Sequence, residues 1–284
     1  RGTGSRRLGR VDVVTNPIDG TRIAYRNFAP TGDGATGSPV VMVHGSALSQ
    51  VIWRGFGYVR NLGARHRIVT LDLRGHGRSD KPRVASAYRM ELFVADVVAV
   101  LDAVGVQQAH YLGYSLGGRV GFSMAAAHPD RLLSLLSAAG APRSEPGAFD
   151  RVFFPGCIDV LETGSMPAFL AAWESHSGRP LDTSTRAAIG ANDALALAAY
   201  MREAERDPGV SDAELATMTL PTLMLVGSRD AERVPAAQHA LATMPSATMR
   251  MLPGANHGET LRHPDALPAV RAFVDQAERA HRSV

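Results

Sequence analysis

Ala109-His110-Tyr111-Leu112-Gly113-Tyr114-Ser115-Leu116-Gly117-Gly118-Arg119-Val120-Gly121-Phe122-Ser123-Met124-Ala125-Ala126-Ala127 is the stretch that decides the fold. Its first part is a short apolar strand, its last part a helix, and only Gly113 to Gly117 lies between them. A strand that turns so sharply into a helix holds its central residue in a strained backbone conformation, and the residues two positions away must be small. Gly113 and Gly117 meet that need. The Ser115 hydroxyl is then lifted above the sheet at a helix N-terminus, where backbone N–H groups favour developing negative charge. A glycine-rich turn with a helix-capping serine has the same five letters, so the flanks must decide. They favour the strained turn. Gly117, Gly121 and Ala125 recur every four residues and leave a bare helical stripe that can lie close against a sheet.

Outward from this stretch the chain keeps a strand-helix rhythm. Val11 to Val14 and Thr21 to Tyr25, separated by Asp19-Gly20, read as an antiparallel hairpin at a sheet edge. Val40-Val41-Met42-Val43 and Arg67-Ile68-Val69-Thr70-Leu71 are continuously apolar strands, with a helix expected at about 51–62 between them. A helical period runs over residues 89–104 and stops at Gly105. After the Ser115 helix comes the strand Leu132 to Leu136. The rhythm returns with the strand Thr222 to Val226, a helix at about 235–244, the strand Thr248 to Leu252 and a last helix near 263–279. Between these halves, residues 143–208 are rich in Pro, Gly, Ser, Phe and Trp and show only helical patterns, Pro167 to Trp173 and Ala187 to Arg202. Such an order means an α/β fold: a doubly wound, mostly parallel sheet with a helical insert before its last two strands. The expected division is a disordered leader at 1–10, a core of 11–142 with 209–284, and the insert at 143–208. Loops at the C-terminal edge of such a sheet are where ligands bind.

Composition narrows the function. The 284 residues are 45% hydrophobic and 20% charged, with a formal net charge of +3. Lys81 is the only lysine, and the arginines are interleaved with acids, so no nucleic-acid surface is expected. Arg1, Arg6, Arg7 and Arg10 form the short basic leader. Cys157 stands alone, which excludes an internal disulfide and argues against a thiol metal site. No apolar run reaches the length of a membrane span. The expectation is a cytoplasmic protein acting on a small molecule, with no metal, cofactor, nucleic-acid or membrane partner; the oligomeric state is not encoded legibly.

A serine hydroxyl attacks only when a base takes its proton, and the base needs an orienting acid. Most of the ten histidines have structural explanations. His128 and His263 each open a His-Pro-Asp step, His66 and His110 open strands, and His281 is in the tail. His257 differs, because Pro253 to Gly258 follows the last strand at the same sheet edge as Ser115. For the acid, Asp230 follows the preceding strand, with Glu232 and Glu145 as rivals. Asp230 is favoured by the chain order Ser, Asp, His.

With these residues in place, the chain resembles the α/β-hydrolase superfamily over residues 11–279. The resemblance rests on Val43-His44-Gly45-Ser46, on Asp72-Leu73-Arg74-Gly75-His76-Gly77-Arg78-Ser79, on the turn at Ser115 and on Gly254-Ala255-Asn256-His257. It implies the α/β-hydrolase fold, Ser115 as nucleophile, His257 as base and Asp230 as acid. It further implies the backbone N–H groups of Ser46 and Leu116 as an oxyanion hole, and the insert as a substrate-lining cap. His76 falls in a structural turn. The implied reaction is hydrolysis of a small, apolar carboxylic ester or lactone through an acyl-enzyme. A serine at this position argues against the carboxylate-nucleophile chemistry of dehalogenases and epoxide hydrolases. Tyr114, Arg119, Phe153, Phe154 and Trp173 are the candidate substrate contacts, although apolar residues of the insert must also pack it to the core, the expected job of most of them. The run Gly113 to Arg119 is also similar to the corresponding turn of a synthase of menaquinone biosynthesis, where an arginine helps bind carboxylates. The same three residues could therefore serve C–C bond hydrolysis, elimination or metal-free perhydrolysis; a non-catalytic binding protein on this fold is the remaining alternative. Arg119 has a plain reading too, as a solvated helix residue.

Overall fold

The computed structural model describes residues 10–282; apart from Arg10, the basic leader lies outside the described residues. Among the described residues eight strands form one sheet: β1 (Asp12–Thr15), β2 (Arg22–Phe28), β3 (Gly37–Val43), β4 (His66–Leu71), β5 (Ala109–Tyr114), β6 (Leu132–Ala138), β7 (Thr222–Gly227) and β8 (Ala247–Leu252). Their order is β1-β2-β4-β3-β5-β6-β7-β8. The β1–β2 and β2–β4 pairs are antiparallel and the rest parallel.

The apolar runs predicted as central strands are continuous because both faces of the sheet are covered. Val41, Val43, Tyr111 and Leu135 point to one side, where they pack with the helices Met90–Ala103 and Leu116–Ala127. Val40, Met42, Leu112 and Leu136 point to the other, toward Trp53, Tyr58 and the helix Ala266–Arg282. The helix expected at 51–62 is two short ones, Val51–Gly55 and Tyr58–Leu62, because Gly57 at φ 83° breaks the run. The pattern seen over 187–202 is likewise divided: Thr183–Gly190 ends and Asp193 caps a new helix, Ala194–Ala204, by accepting from Ala196 N–H at 2.9 Å. Residues 143–208 hold five helices and no strand, and Asp212–Thr217 adds a short helix before β7.

The bare stripe does what its spacing implies. A Cβ at Gly117 would stand 2.0 Å from the Val43 carbonyl oxygen, and one at Gly121 2.6 Å from the Tyr111 ring. The helix therefore rests directly on β3 and β5.

The turn after β4 is a buried polar hub. The Arg74 side chain is fully buried and binds Asp96 through Nε and Nη2, both at 2.7 Å. Its Nη1 reaches Asp19 Oδ2 at 2.7 Å and the Ala87 carbonyl at 2.6 Å. Asn16 donates to Asp96 Oδ1 at 2.6 Å. One guanidinium thus ties the β1–β2 turn, the Asp72–Ser79 turn and the Met90–Ala103 helix together. Asp72 accepts from Gln50 N–H at 2.8 Å and Arg78 N–H at 3.0 Å, fixing the loop after β3 to the same hub. His76 is fully buried, its Nδ1 donates to the Arg74 carbonyl at 2.9 Å, and its Nε2 has no partner among the described residues. Burial, then the neighbouring His44, pushes its pKa down to about 3.

Two outcomes follow from the hub. Replacing Arg74 by Met strands the buried Asp96 charge and should cost about 3–5 kcal/mol in urea unfolding; a second change, Asp96→Leu, should recover part of it. Full loss with no recovery would deny the pair this role. For His76, the unfolded chain takes a proton below about 6.5, while the folded chain refuses it until about pH 3. Its contribution is therefore complete above about pH 6.5 and is lost as pH falls toward 3, at up to about 1.4 kcal/mol per pH unit. His76→Asn, which keeps a donor for the Arg74 carbonyl, should flatten the decline of unfolding free energy between pH 6.5 and 4. Equal slopes in both proteins would refute the account.

Candidate active site

Ser115 lies between the last residue of β5 and the first of the helix Leu116–Ala127, at φ 51° and ψ −111°. That conformation is uncommon for a residue with a Cβ and is held only by its surroundings. A Cβ at Gly113 would meet the Gly117 carbonyl oxygen at 2.3 Å, so the turn closes over two glycines. Ser115 N–H is anchored to the Ala138 carbonyl at 2.9 Å, and Arg119 N–H donates to the Ser115 carbonyl at 3.0 Å.

His257 Nε2 is 3.0 Å from Ser115 Oγ, and His257 Nδ1 is 2.7 Å from Asp230 Oδ2. The sequence-predicted serine, histidine and aspartate are thus brought into one hydrogen-bonded line across 142 and 27 residues of chain. Local chemistry explains the convergence. Gly227 ends β7 against the loop after β8, where a Cβ would strike the Ala255 carbonyl oxygen at 2.3 Å. Arg229 N–H donates to that same carbonyl at 2.9 Å, and Ser228 N–H to Leu252 at 3.0 Å. The Asp230 and His257 segments are therefore laced together. Asp230 is 5% exposed, and its second oxygen accepts from Arg233 N–H at 3.3 Å. His257 opens a 3-10 turn, His257–Arg262, rather than lying in an open loop. Asn256 and Glu259 cap that turn reciprocally. The rival Glu232 is held by Arg151 at 2.7 and 2.9 Å and does not meet His257.

The Tyr114 side chain backs the histidine. Its hydroxyl donates to the His257 carbonyl at 2.9 Å, and the two rings lie 5.7 Å apart. Burial, with Asp230 adding to it, pushes this phenol above its ordinary range, so it remains a donor.

Ser46 reaches the site through Gly45, where a Cβ would sit 3.1 Å from Ser115 Cβ. Leu116 is the first residue of the helix beyond Ser115, so its N–H points away from the helix body, one residue from the hydroxyl. His44, buried beneath, accepts from Leu73 N–H at Nε2 (3.0 Å), which makes Nδ1 the donor to the Gly45 carbonyl at 2.8 Å.

The remaining candidates are buried or half-buried. Arg119 is 6% exposed rather than solvated, and its guanidinium binds Asp207 at 2.5 Å and Ser123 Oγ at 2.9 Å. Phe153 and Phe154 are buried and, with the half-buried Trp173, pack around Phe169. Phe153 is 5.0 Å from Trp173 and 5.3 Å from Phe169, ring centre to ring centre.

Sequence reasoning missed Tyr200. It lies in the helix Ala194–Ala204, and its hydroxyl is 2.8 Å from Ser46 Oγ. A lone tyrosine in an alanine-rich helix, Ala194-Leu195-Ala196-Leu197-Ala198-Ala199-Tyr200, was the available signal.

Comparison with known proteins agrees with this fold. Residues 38–161 match the α/β-hydrolase-fold family. Epoxide hydrolase B of Mycobacterium tuberculosis is 42% identical over 113 residues, covering 39% of this chain and 31% of the relative. The match thus spans less than a third of that relative's length. A hydrolase from Pseudomonas aeruginosa superposes with a TM-score of 0.78 at 25% identity, covering 94% of this chain and 99% of that one. An esterase from a Rhodococcus species gives a TM-score of 0.74 at 25% identity, covering 93% and 98%. Among the described residues no helix is long and apolar enough to cross a membrane. The eight-stranded sheet, the strained serine turn and these likenesses together show that the chain has the α/β-hydrolase fold.

Proposed function

We propose that this protein is a serine hydrolase that cleaves a small carboxylic ester or lactone through an acyl-enzyme on Ser115. One observation carries the reading: the Asp230–His257–Ser115 line, at 2.7 and 3.0 Å, ends on a serine held at φ 51°. In this reading Asp230 fixes the imidazole with its proton on Nδ1, leaving the Nε2 lone pair to accept the Ser115 proton. Ser115 Oγ attacks the carbonyl carbon. Negative charge collects on the carbonyl oxygen, where the N–H groups of Ser46 and Leu116 would receive it; each such donor is worth about 2.7–4 kcal/mol in a serine protease. His257 then protonates the leaving alcohol, and a water activated by the same imidazole releases the acyl group.

The 42% relative is named as an epoxide hydrolase, yet the turn here presents a hydroxyl with a paired base. A hydroxyl prepared in this way suits acyl transfer. The helical segment 143–208 is read as a roof over the site; the contact of Tyr200 with Ser46 supports that placement.

Ser115→Ala should fold normally and lose turnover of p-nitrophenyl acetate by a factor on the order of 10⁶, since such residues act as a unit. His257→Ala should be comparably damaging, while His76→Asn should mainly change stability. Fluorophosphonate labelling followed by peptide mapping should place the adduct on Ser115. Turnover near the wild-type rate in Ser115→Ala, or labelling elsewhere, would defeat the proposal.

A further inference from the structure

The loop after β3 is held in two different ways. Its ends belong to the sheet side. His44 is fixed between Leu73 N–H and the Gly45 carbonyl, at 3.0 and 2.8 Å. Gln50 N–H donates to Asp72 Oδ1 at 2.8 Å, its side-chain amide to Asp72 Oδ2 at 3.1 Å, and its carbonyl oxygen accepts from Thr70 at 2.7 Å. The middle of the loop is held from the helical segment. Tyr200 meets Ser46 Oγ at 2.8 Å, and Asn192 Nδ2 donates to the Ala47 carbonyl at 2.8 Å. That middle is strained, because Ala47 sits at φ 58°. A residue with a Cβ stays there only if neighbours hold it.

Both holding side chains are themselves fixed. Asn192 also donates to the Ile189 carbonyl at 2.9 Å, at the end of its own helix. Tyr200 is buried in a box of four rings: Phe149 at 5.7 Å, His76 at 5.9 Å, Phe93 at 6.0 Å and Tyr88 at 6.1 Å. Three of those rings belong to the core, so the hydroxyl is aimed by the sheet side although the residue comes from the insert. Burial pushes the phenol up to about 12, which keeps it protonated at any working pH.

We infer that Tyr200 and Asn192 are positioning residues: by gripping Ser46 Oγ and the Ala47 carbonyl from the helical segment, they set the direction of the Ser46 N–H and thereby complete the oxyanion hole. The inference rests on the acyl-transfer reading for its catalytic consequence, though not for the grip itself. It follows that the site is fully competent only when residues 192–200 are seated.

The test is a double-mutant cycle on Ser46→Ala and Tyr200→Phe, with Asn192→Ala alongside. Each change leaves the Ser46 N–H in the chain and removes only its support. With p-nitrophenyl acetate, each single variant should lower kcat by about 10- to 100-fold with KM within about threefold, short of the 10²–10³ lost when a donor itself is deleted. The Ser46→Ala/Tyr200→Phe pair should be no worse than either single change. A trifluoromethyl ketone, which forms an oxyanion on Ser115, should lose affinity in parallel with kcat, whereas acetate binding should not change. Multiplicative losses in the double variant, or equal losses for ketone and acetate, would overturn the inference. Amide hydrogen exchange of residues 44–50 supplies a readout free of activity: it should rise in Tyr200→Phe and Asn192→Ala at unchanged melting temperature, and unchanged exchange would also overturn the inference. If the wild-type protein cleaves no ester and Ser115 resists fluorophosphonate, the hydrolase reading falls, while the exchange result still decides whether the grip exists.

Discussion

The close approach of one helix to the sheet is the constraint on which the site depends. At Gly117 the helix backbone comes so near β3 that a Cβ would stand 2.0 Å from the Val43 carbonyl oxygen. A Cβ at Gly118 would likewise crowd Ser137 Oγ, at 2.4 Å. Nothing larger than hydrogen fits at either place. With the helix seated that deeply, the chain has one residue in which to leave β5 and enter the helix, and Ser115 absorbs the whole change of direction at φ 51°. The same approach sets the end of β3 beside the start of the helix. Gly45 therefore lies against Ser115, and the chain beyond it can face the hydroxyl. One packing distance thus controls the strain at Ser115 and the approach of Gly45 to it.

The other half of the site is assembled by hydrogen bonds rather than by packing. Asp230 and His257 follow neighbouring parallel strands, so topology alone puts them at one edge. Topology does not set the distance between their side chains. That comes from Arg229 N–H on the Ala255 carbonyl, from the Asn256–Glu259 cap and from the Tyr114 hydroxyl on the His257 carbonyl. The imidazole is thus held through its own backbone from two sides. Short-range local bonds therefore fix the imidazole beside Ser115 Oγ.

Most of this was legible in the sequence, for identifiable reasons. Strands buried on both faces leave continuous apolar runs, and all five central ones were visible. The turn at Ser115 was visible because a sterically closed position admits only glycine. His257 and Asp230 were visible because chain order and strand ends locate them. What stayed hidden depends on pairs remote in sequence. Arg119 faces Asp207 across 88 residues, and Tyr200 faces Ser46 across 154. No local pattern marks either partner. Phe153, Phe154 and Trp173 were legible as apolar but not as mutual neighbours. An aromatic side chain that lines a pocket and one that fills a small core obey the same hydrophobic rule.

The two kinds of contact divide the molecule into parts with different freedom to change. In the sheet, an added methyl at Gly117 meets backbone, which cannot yield, so that surface is fixed by sterics. The helical segment meets the core chiefly through side chains: the Phe149 and Tyr200 rings, Asn192 on Ala47, and Arg83 on Asp193 at 2.7 Å. Side chains can be exchanged for others of similar reach without moving the sheet. Only where a polar tip from the segment must meet a polar atom of the core, as the Tyr200 hydroxyl meets Ser46, does burial demand a specific partner, because an unmet buried hydroxyl costs about 1–3 kcal/mol. The segment can therefore vary its apolar interior while keeping its polar grips, two of which, Tyr200 on Ser46 and Asn192 on Ala47, fall on the loop that borders Ser115.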